Sequence, residues 1–183
     1  MIEKEIKIMM NEEEYNKALA LFKLDKVIVQ KNHYYSCEVS FRRNITIRIR
    51  EIGNKFFLQV KVPVSEERNL SVKREYEAEV NGVTPVIAAQ KLYELTGTEF
   101  DEARYMGILE THRSICRPNS HTEICIDRNI YFGIVDYELE IEYTGEYPSE
   151  QLALLNEAGI NCDKALMGKY SRFIVEYMKT QSS

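Results

Sequence analysis

The sequence of 183 residues lacks tryptophan, has only 8 glycines and 4 prolines, and contains no uncharged apolar run near the ~20 residues that a membrane-spanning helix needs. The low glycine and proline content excludes a collagen-like or low-complexity chain. Basic residues are not in excess, because 24 Lys and Arg stand against 29 Asp and Glu, a net charge of −5. The chain as a whole therefore has no attraction for nucleic acid or anionic lipid, and any anion site must be local.

The sequence also lacks a CxxC pair among its four cysteines and an apolar segment at its N-terminus. Charged residues at positions 3, 4, 5 and 7 argue against a secretory signal peptide, so we expect reduced thiols and a cytoplasmic protein. The length predicts a single domain, 1–183. The negative net charge predicts no nucleic-acid or membrane partner. A monomer and a homodimer both remain open.

Alternation of apolar and polar residues predicts about eight strands, and helical spacing predicts four helices. Asn11 followed by Glu14 predicts an N-cap with a capping box for the first helix. The predicted strands span 1–10, 27–35, 44–50, 55–62, 70–80, 105–117, 122–130 and 134–143. The further helices are expected at 84–95, from Ser149 to Gly159, and at 169–178. Short turns between the strands favour one antiparallel sheet, and closure into a barrel would remove its edges.

One face of these predicted strands carries almost only full charges of both signs, while the intervening residues are mostly apolar. Two arrangements fit this pattern: a sheet whose charges face water, or an eight-stranded barrel that encloses them and packs helices on its apolar exterior. The repetition favours the barrel, because solvent-facing positions usually mix charged and neutral polar residues. The charged positions are Glu3, Glu5, Lys7, Arg48, Arg50, Lys61, Glu75, Glu77, Arg113, Asp127, Glu138 and Glu140. The expected fold class is thus α+β, a closed eight-stranded antiparallel barrel with a charged interior and external helices.

The charges in such an interior have complementary chemistry. Glu-x-Glu pairs place two oxygen ligands on one face about 7 Å apart, and hard oxygen ligands suit Mg²⁺ or Mn²⁺. Arg48 and Arg50 offer forked donors for phosphoryl oxygens, and Lys7 and Lys61 add point charges. Together they describe a site for a polyanion that binds with a metal ion.

A second metal hypothesis concerns a short segment with two histidines and two cysteines. His112, Cys116, His121 and Cys125 are residue types that bind zinc. Strand alternation, however, places Cys116 on the face opposite to the charged positions and Cys125 on the same face. We therefore favour packed thiols and a solvated turn histidine over a zinc site.

The motifs resemble, in order along nearly the whole chain, those of the CYTH or triphosphate tunnel metalloenzyme superfamily. Residues 3–7 (EKEIK) are similar to its ExExK signature, and Arg48-x-Arg50 to its RxR motif. Further similar positions are Lys61, Glu75, Glu77, Arg113, Asp127, Glu138, Glu140 and the Lys169-Tyr170 pair. The resemblance implies an eight-stranded antiparallel tunnel. It also implies hydrolysis of tripolyphosphate, nucleoside triphosphates or thiamine triphosphate, or cyclisation of ATP, with Mg²⁺ or Mn²⁺.

Roles for individual residues follow from this resemblance. The implied metal ligands are Glu3, Glu5, Glu75, Glu77, Asp127, Glu138 and Glu140. The implied triphosphate-binding residues are Lys7, Arg48, Arg50, Lys61, Arg113 and Lys169. Glu5, Lys61 and Glu77 are expected to act directly in catalysis.

The expected function is a metal-dependent triphosphatase in which a metal-activated water attacks the terminal phosphorus in line. Inorganic tripolyphosphate is the preferred substrate, with nucleoside or thiamine triphosphate as alternatives. Two other functions stay open: a class IV type adenylate cyclase, and a non-catalytic module that binds polyphosphate or nucleotide.

Overall fold

The computed structural model describes residues 2–67, 70–162 and 167–181, with all side chains in them except those of 2, 3, 65–67, 70 and 71. The described residues form nine strands and five helices. In chain order these are β1 (Ile2–Met10), α1 (Glu12–Leu21), β2 (Lys26–Ser36), α2 (Glu38–Arg42), β3 (Thr46–Ile52), β4 (Lys55–Glu67), β5 (Leu70–Val80), β6 (Val86–Ile87), α3 (Ala89–Thr96), β7 (Ala103–Asn119), β8 (Thr122–Tyr131), β9 (Ile134–Tyr143), α4 (Ser149–Glu157) and α5 (Lys169–Gln181).

Eight of the strands close into an antiparallel barrel. The sheet order is β2-β3-β4-β5-β1-β9-β8-β7, and β7 pairs with β2 to complete the ring. The two-residue strand β6 pairs with β7 outside this ring. The predicted α+β class and closed eight-stranded barrel are confirmed, with β6 as an additional strand.

The exterior of the barrel is apolar and carries the helices. Ile6 alternates with Glu5 and Lys7, so its side chain lies on the opposite face, where it joins a buried cluster with Ala18 of α1 and Leu155 of α4. Burying one such isoleucine stabilises the fold by about 1.5–3 kcal/mol. On the other side, Ile47 of β3 and Val60 of β4 pack in a second cluster with Leu92 of α3.

Helix α5 contributes to a third cluster. Tyr34 of β2, Leu109 of β7 and Tyr131 of β8 pack there with Tyr170 and Phe173 of α5. Tyr34 of β2 pairs with Arg48 of β3, and both side chains face the lumen. This cluster therefore includes a lumen-facing position of β2. The first turn of α5, which carries Lys169, is thereby held against the barrel.

Most predicted element types are confirmed, with two local differences. The capping box of α1 is formed: the Glu14 amide donates to Asn11 Oδ1 at 2.8 Å, and the Asn11 amide donates to Glu14 Oε2 at 2.9 Å. The helix predicted at 84–95 is wrong in its first turn, because Val86 and Ile87 pair with β7 before α3 begins. Helix α2 was not predicted, since its five residues are too few to show helical periodicity.

The described helices are short. The longest, α5, has 13 residues, and none of those that the structure describes combines the length and apolarity needed to cross a bilayer.

Candidate functional site

Three neighbouring strands, β1, β9 and β8, present carboxylates to the lumen. We call these residues the acidic wall: Glu5, Asp127, Glu138, Glu140 and Glu142. Strand register sets Glu5 opposite Glu142 and Asp127 opposite Glu138. All except Glu142 are buried. Buried carboxylates of this density require paired cations, because an unpaired charge is costly in a low-dielectric interior.

Lys7 supplies one of these cations from within β1. Its Nζ lies 2.9 Å from Glu5, 2.8 Å from Glu140 and 3.7 Å from Glu138. Burial alone would lower the pKa of Lys7, but Glu140 and Glu5 hold it well above the ordinary value. Lys7 is therefore a fixed positive charge at the centre of the acidic wall.

Arg113 and Lys169 supply two more cations from β7 and α5. Arg113 makes a bidentate contact to Asp127, with Nε at 2.8 Å and Nη2 at 2.7 Å, and its Nη2 also contacts Glu140. Lys169 Nζ lies 2.7 Å from Asp127 and 3.5 Å from Glu140. Glu140 thus contacts all three cations, Lys7 included, and is the central acceptor of the network.

The pKa values of the carboxylates follow from this pairing. Burial by itself would raise the pKa of Glu5, but Lys7 and Lys61 outweigh it and lower that pKa to about 2. Burial likewise opposes the ionisation of Glu140, yet Lys169, Lys7 and Arg113 hold its pKa well below 4.5. Glu5 and Glu140 therefore stay ionised at neutral pH.

Part of the acidic wall fits a divalent cation. Glu5, Glu140 and Glu142 each offer a carboxylate oxygen, and these oxygens lie within 4.8 Å of one another. Glu138 Oε1 is buried and accepts no hydrogen bond from the described residues. An all-oxygen donor set with an unsatisfied carboxylate oxygen beside it suits Mg²⁺ or Mn²⁺ better than zinc.

The opposite side of the lumen has a different composition. We call Gln30 and Asn32 of β2 together with Arg48 and Arg50 of β3 the donor wall. In the ring of eight strands, β2 lies four strands from β1, and β3 lies four strands from β9. The two walls therefore face each other across the barrel.

The arginines of the donor wall bond to neutral amides. Arg48 Nε donates to Gln59 Oε1 at 2.8 Å, and Arg50 Nε donates to Asn32 Oδ1 at 3.2 Å. Arg48 is buried, and its Nη2 has no hydrogen-bond partner in the described part of the chain. Burial, followed by the positive charges of Arg48 and Arg113, lowers the pKa of Arg50 to about 10. Positive charge is thus concentrated here without a carboxylate contact from the described residues.

The remaining predicted residues lie on β4 and β5, between the two walls. Lys61 Nζ lies 3.3 Å from Glu75, and Glu77 accepts a hydrogen bond from Gln59 at 2.6 Å. Glu77 is exposed, unlike Glu5 on the acidic wall. The structure thus places every predicted site residue in one lumen except Glu3, whose side chain lies outside the described residues.

Several lumen residues were missed from the sequence. Glu142 continues the alternation of Glu138 and Glu140 by one step, so the same pattern could have identified it. Arg172 of α5 bonds to Asp136 at 2.9 Å and to Glu138 at 2.6 Å, a contact between distant segments that no local pattern indicates. The neutral residues of the donor wall were missed because only charged positions were compared.

The zinc hypothesis finds no support in the structure. Cys116 packs in the buried cluster beneath α1 and α4, as its strand parity predicted. His112 bonds to Glu110 at 2.7 Å, and His121 lies beside Thr144. Among the described residues, these histidines and cysteines form no group close enough to share a metal ion.

The fold is shared with solved structures of low sequence identity. A proposed adenylyl cyclase from Hippeastrum with a dominant triphosphatase activity has a TM-score of 0.75 at 19% identity, over 95% of this chain and 96% of its own. A proposed adenylate cyclase from Bacillus halodurans has a TM-score of 0.69 at 21% identity, over 92% and 95%. The Mimivirus capping enzyme triphosphatase has a TM-score of 0.54 at 12% identity, over 87% and 89%.

A search of curated protein sequences gives no significant match. The family model of the CYTH domain, in contrast, matches residues 1–158, which include both walls of the lumen. The chain therefore belongs to the CYTH domain family.

Proposed function

We propose that this CYTH protein is a metal-dependent triphosphatase that cleaves the terminal phosphoanhydride bond of a triphosphate. The observation that carries the proposal is the unpaired buried charge of the donor wall. Arg48 is 7% exposed and its Nη2 lacks a partner among the described residues, while the acidic wall lies across the lumen. A buried guanidinium without a carboxylate is stabilised best by an anionic ligand.

The acidic wall is the proposed site of the metal, Mg²⁺ or Mn²⁺. Glu5, Glu140 and Glu142 would hold it, with Glu138 beside them, because their oxygens already lie close together. A divalent cation bound there would neutralise charge on phosphoryl oxygens and acidify a water molecule. Glu3, Glu75, Glu77 and Asp127 remain predicted ligands, although Asp127 is occupied by Arg113 and Lys169.

The cations in the lumen have separate proposed tasks. Arg48 and Arg50 would bind phosphoryl oxygens at the donor wall, and Lys61 would add a charge from β4. Lys7, Arg113 and Lys169 are held by carboxylates of the acidic wall, and they would contact the substrate if a bound metal ion shared those carboxylates. These fixed charges would stabilise the negative charge that develops on the transferring phosphoryl group. Glu77, exposed to solvent, is the proposed residue for orienting the attacking water.

Inorganic tripolyphosphate is the proposed substrate, before nucleoside or thiamine triphosphate. The support comes from the aromatic residues at the α5 end of the lumen. Tyr34 packs on Tyr170 and Phe173 with ring centroids 5.2 and 4.7 Å apart. All three rings are buried, so they present no free face on which a base or thiazolium could stack.

The neighbours add support of a different kind. Two of them are described by triphosphatase activity, one from Hippeastrum and one from Mimivirus. The description of adenylyl or adenylate cyclases in the same group keeps cyclisation of ATP as the second candidate.

The test is the release of orthophosphate from tripolyphosphate, ATP and thiamine triphosphate in Mg²⁺, Mn²⁺ or EDTA. We expect turnover that requires the metal, is highest with tripolyphosphate, and is lost in Glu5→Gln. The matched control is Glu13→Gln, which removes an exposed carboxylate of α1 that pairs with Lys17 on the outside of the barrel and should leave turnover unchanged. Cyclic AMP formed without orthophosphate would favour the cyclase, and binding without any turnover would favour a non-catalytic module.

A further inference from the structure

Three buried side-chain donors on the donor wall have no hydrogen-bond partner in the described part of the chain. They are Gln30 Nε2, Asn32 Nδ2 and Arg48 Nη2. The exposed fractions of these residues are 2%, 0% and 7%. Because nine in ten buried polar groups are satisfied in folded proteins, three unsatisfied donors on two adjacent strands call for a common explanation.

The strand register brings these donors to one patch. Gln30 and Asn32 are two residues apart on β2, so both face the lumen about 7 Å apart. Asn32 pairs with Arg50 of β3, and Arg48 pairs with Tyr34, one lumen-facing position beyond Asn32 on the side away from Gln30. The patch therefore spans two strands and consists of amide and guanidinium groups.

The orientation of the Asn32 amide is set by its neighbour. Arg50 Nε donates to Asn32 Oδ1 at 3.2 Å, and an arginine cannot accept a hydrogen bond in return. The oxygen of the amide is thus turned to Arg50, and the NH₂ group is left as a donor. The amide completes the patch with a donor that carries no charge.

The patch is suited to a ligand that only accepts hydrogen bonds. A nonbridging phosphoryl oxygen is such a ligand, and its negative charge would supply the anionic partner that Arg48 lacks among the described residues. A buried unsatisfied donor costs about 1–3 kcal/mol, so a chain whose successive oxygens satisfy these donors gains affinity from each. A hydroxyl or a cation would gain less, because each would bring further donors or positive charge to the same place.

We propose that Gln30 and Asn32 are direct ligands of phosphoryl oxygens along the substrate chain and form with Arg48 an extended binding subsite on β2 and β3. This inference rests on the proposed triphosphatase function and deepens it. The two amides add affinity for the phosphate chain without adding positive charge to a wall whose arginines already repel each other. The subsite would bind the chain from the side opposite to the metal.

The test measures binding of inorganic tripolyphosphate by calorimetry in the presence of EDTA, so that it is independent of turnover and of the metal. Asn32→Asp replaces the donor with a carboxylate of the same shape, and we expect affinity to fall about tenfold or more. Asn81→Asp is the matched control: it adds the same charge at an exposed position, and should change affinity less than twofold.

A second variant separates binding from folding. Gln30→Met keeps the size of the side chain and removes its amide, and we expect affinity to fall several-fold with the melting temperature unchanged or raised. If Asn32→Asp failed to fold, the Gln30→Met measurement alone would decide the matter. Wild-type affinity in both folded variants would overturn the subsite but leave the triphosphatase proposal standing. A wild-type protein that bound no tripolyphosphate would instead overturn the proposed function and the subsite with it.

Discussion

The two walls of the lumen differ in how their charges are balanced. On the acidic wall, Glu140 contacts Lys7, Arg113 and Lys169, so each charge has a partner within the protein. On the donor wall, Arg48 and Arg50 bond only to neutral amides among the described residues. The charges of the acidic wall are thus balanced by ion pairs, whereas those of the donor wall have no carboxylate partner among the described residues. We propose that an anionic ligand supplies the missing negative charge on the donor wall.

The largest effect is expected on the acidic wall. Glu140→Gln removes the shared acceptor of three buried cations, and breaking such a buried pair typically costs about 3–5 kcal/mol. We therefore expect a marked loss in the free energy of unfolding, measured by urea denaturation without metal. Glu13→Gln, at an exposed pair with Lys17 on α1, should cost less than about 1 kcal/mol. Equal losses in the two variants would show that the acidic wall is not held together by its internal ion pairs.

The next effect distinguishes the donor wall from the acidic one. Arg48→Met removes a buried guanidinium that has one unpartnered nitrogen, so the free energy of unfolding should stay the same or rise. Turnover of tripolyphosphate should nevertheless fall on the order of a hundredfold, because a charge that stabilises the transferring phosphoryl group is lost. Urea denaturation and orthophosphate release on the same preparation check both expectations. If Arg48→Met lowered the free energy of unfolding as much as Glu140→Gln does, the proposed difference between the two walls would be wrong.

The fold was largely predictable because alternation is a local property. Ile6 between Glu5 and Lys7 already shows that β1 has one apolar and one charged face, and the same holds for most of the other strands. Closure of the ring was favoured by the enclosed charges but depends on the pairing of β2 with β7, which are far apart in sequence. Strand β6 and helix α2 are too short to leave a periodic pattern.

Only the charged residues of the candidate site could be predicted from the sequence. Glu5, Arg48 and Arg113 stand out as full charges on an inward face, and the structure brings them into one lumen. Asn32 is neutral, and neutral polar residues are common on every strand face, so its unsatisfied donor becomes visible only when partners are counted. Arg172 reaches Glu138 from α5, and helix packing against a barrel end is set by tertiary contacts rather than by spacing. Their action on a substrate or metal stays a prediction.

The smallest effect is expected at a single, partly buried ion pair outside the lumen. On the outer face of the barrel, His33 Nε2 lies 3.0 Å from Glu51 Oε2. The hydrogen bond from His33 lowers the pKa of Glu51 below 4.5. A carboxylate with a lowered folded-state pKa stabilises the protein above its unfolded pKa, and this stability is lost as pH falls through the folded value. At pH 7 the melting temperature of wild type should therefore exceed that of Glu51→Gln by about one or two degrees, as expected for the loss of one ion pair at the barrel surface. This difference should shrink as the pH falls below 4.5 and vanish below the lowered pKa of Glu51. A difference as large as that for Glu140→Gln, or one independent of pH, would contradict the view that burial, rather than pairing alone, sets the stability of the acidic wall.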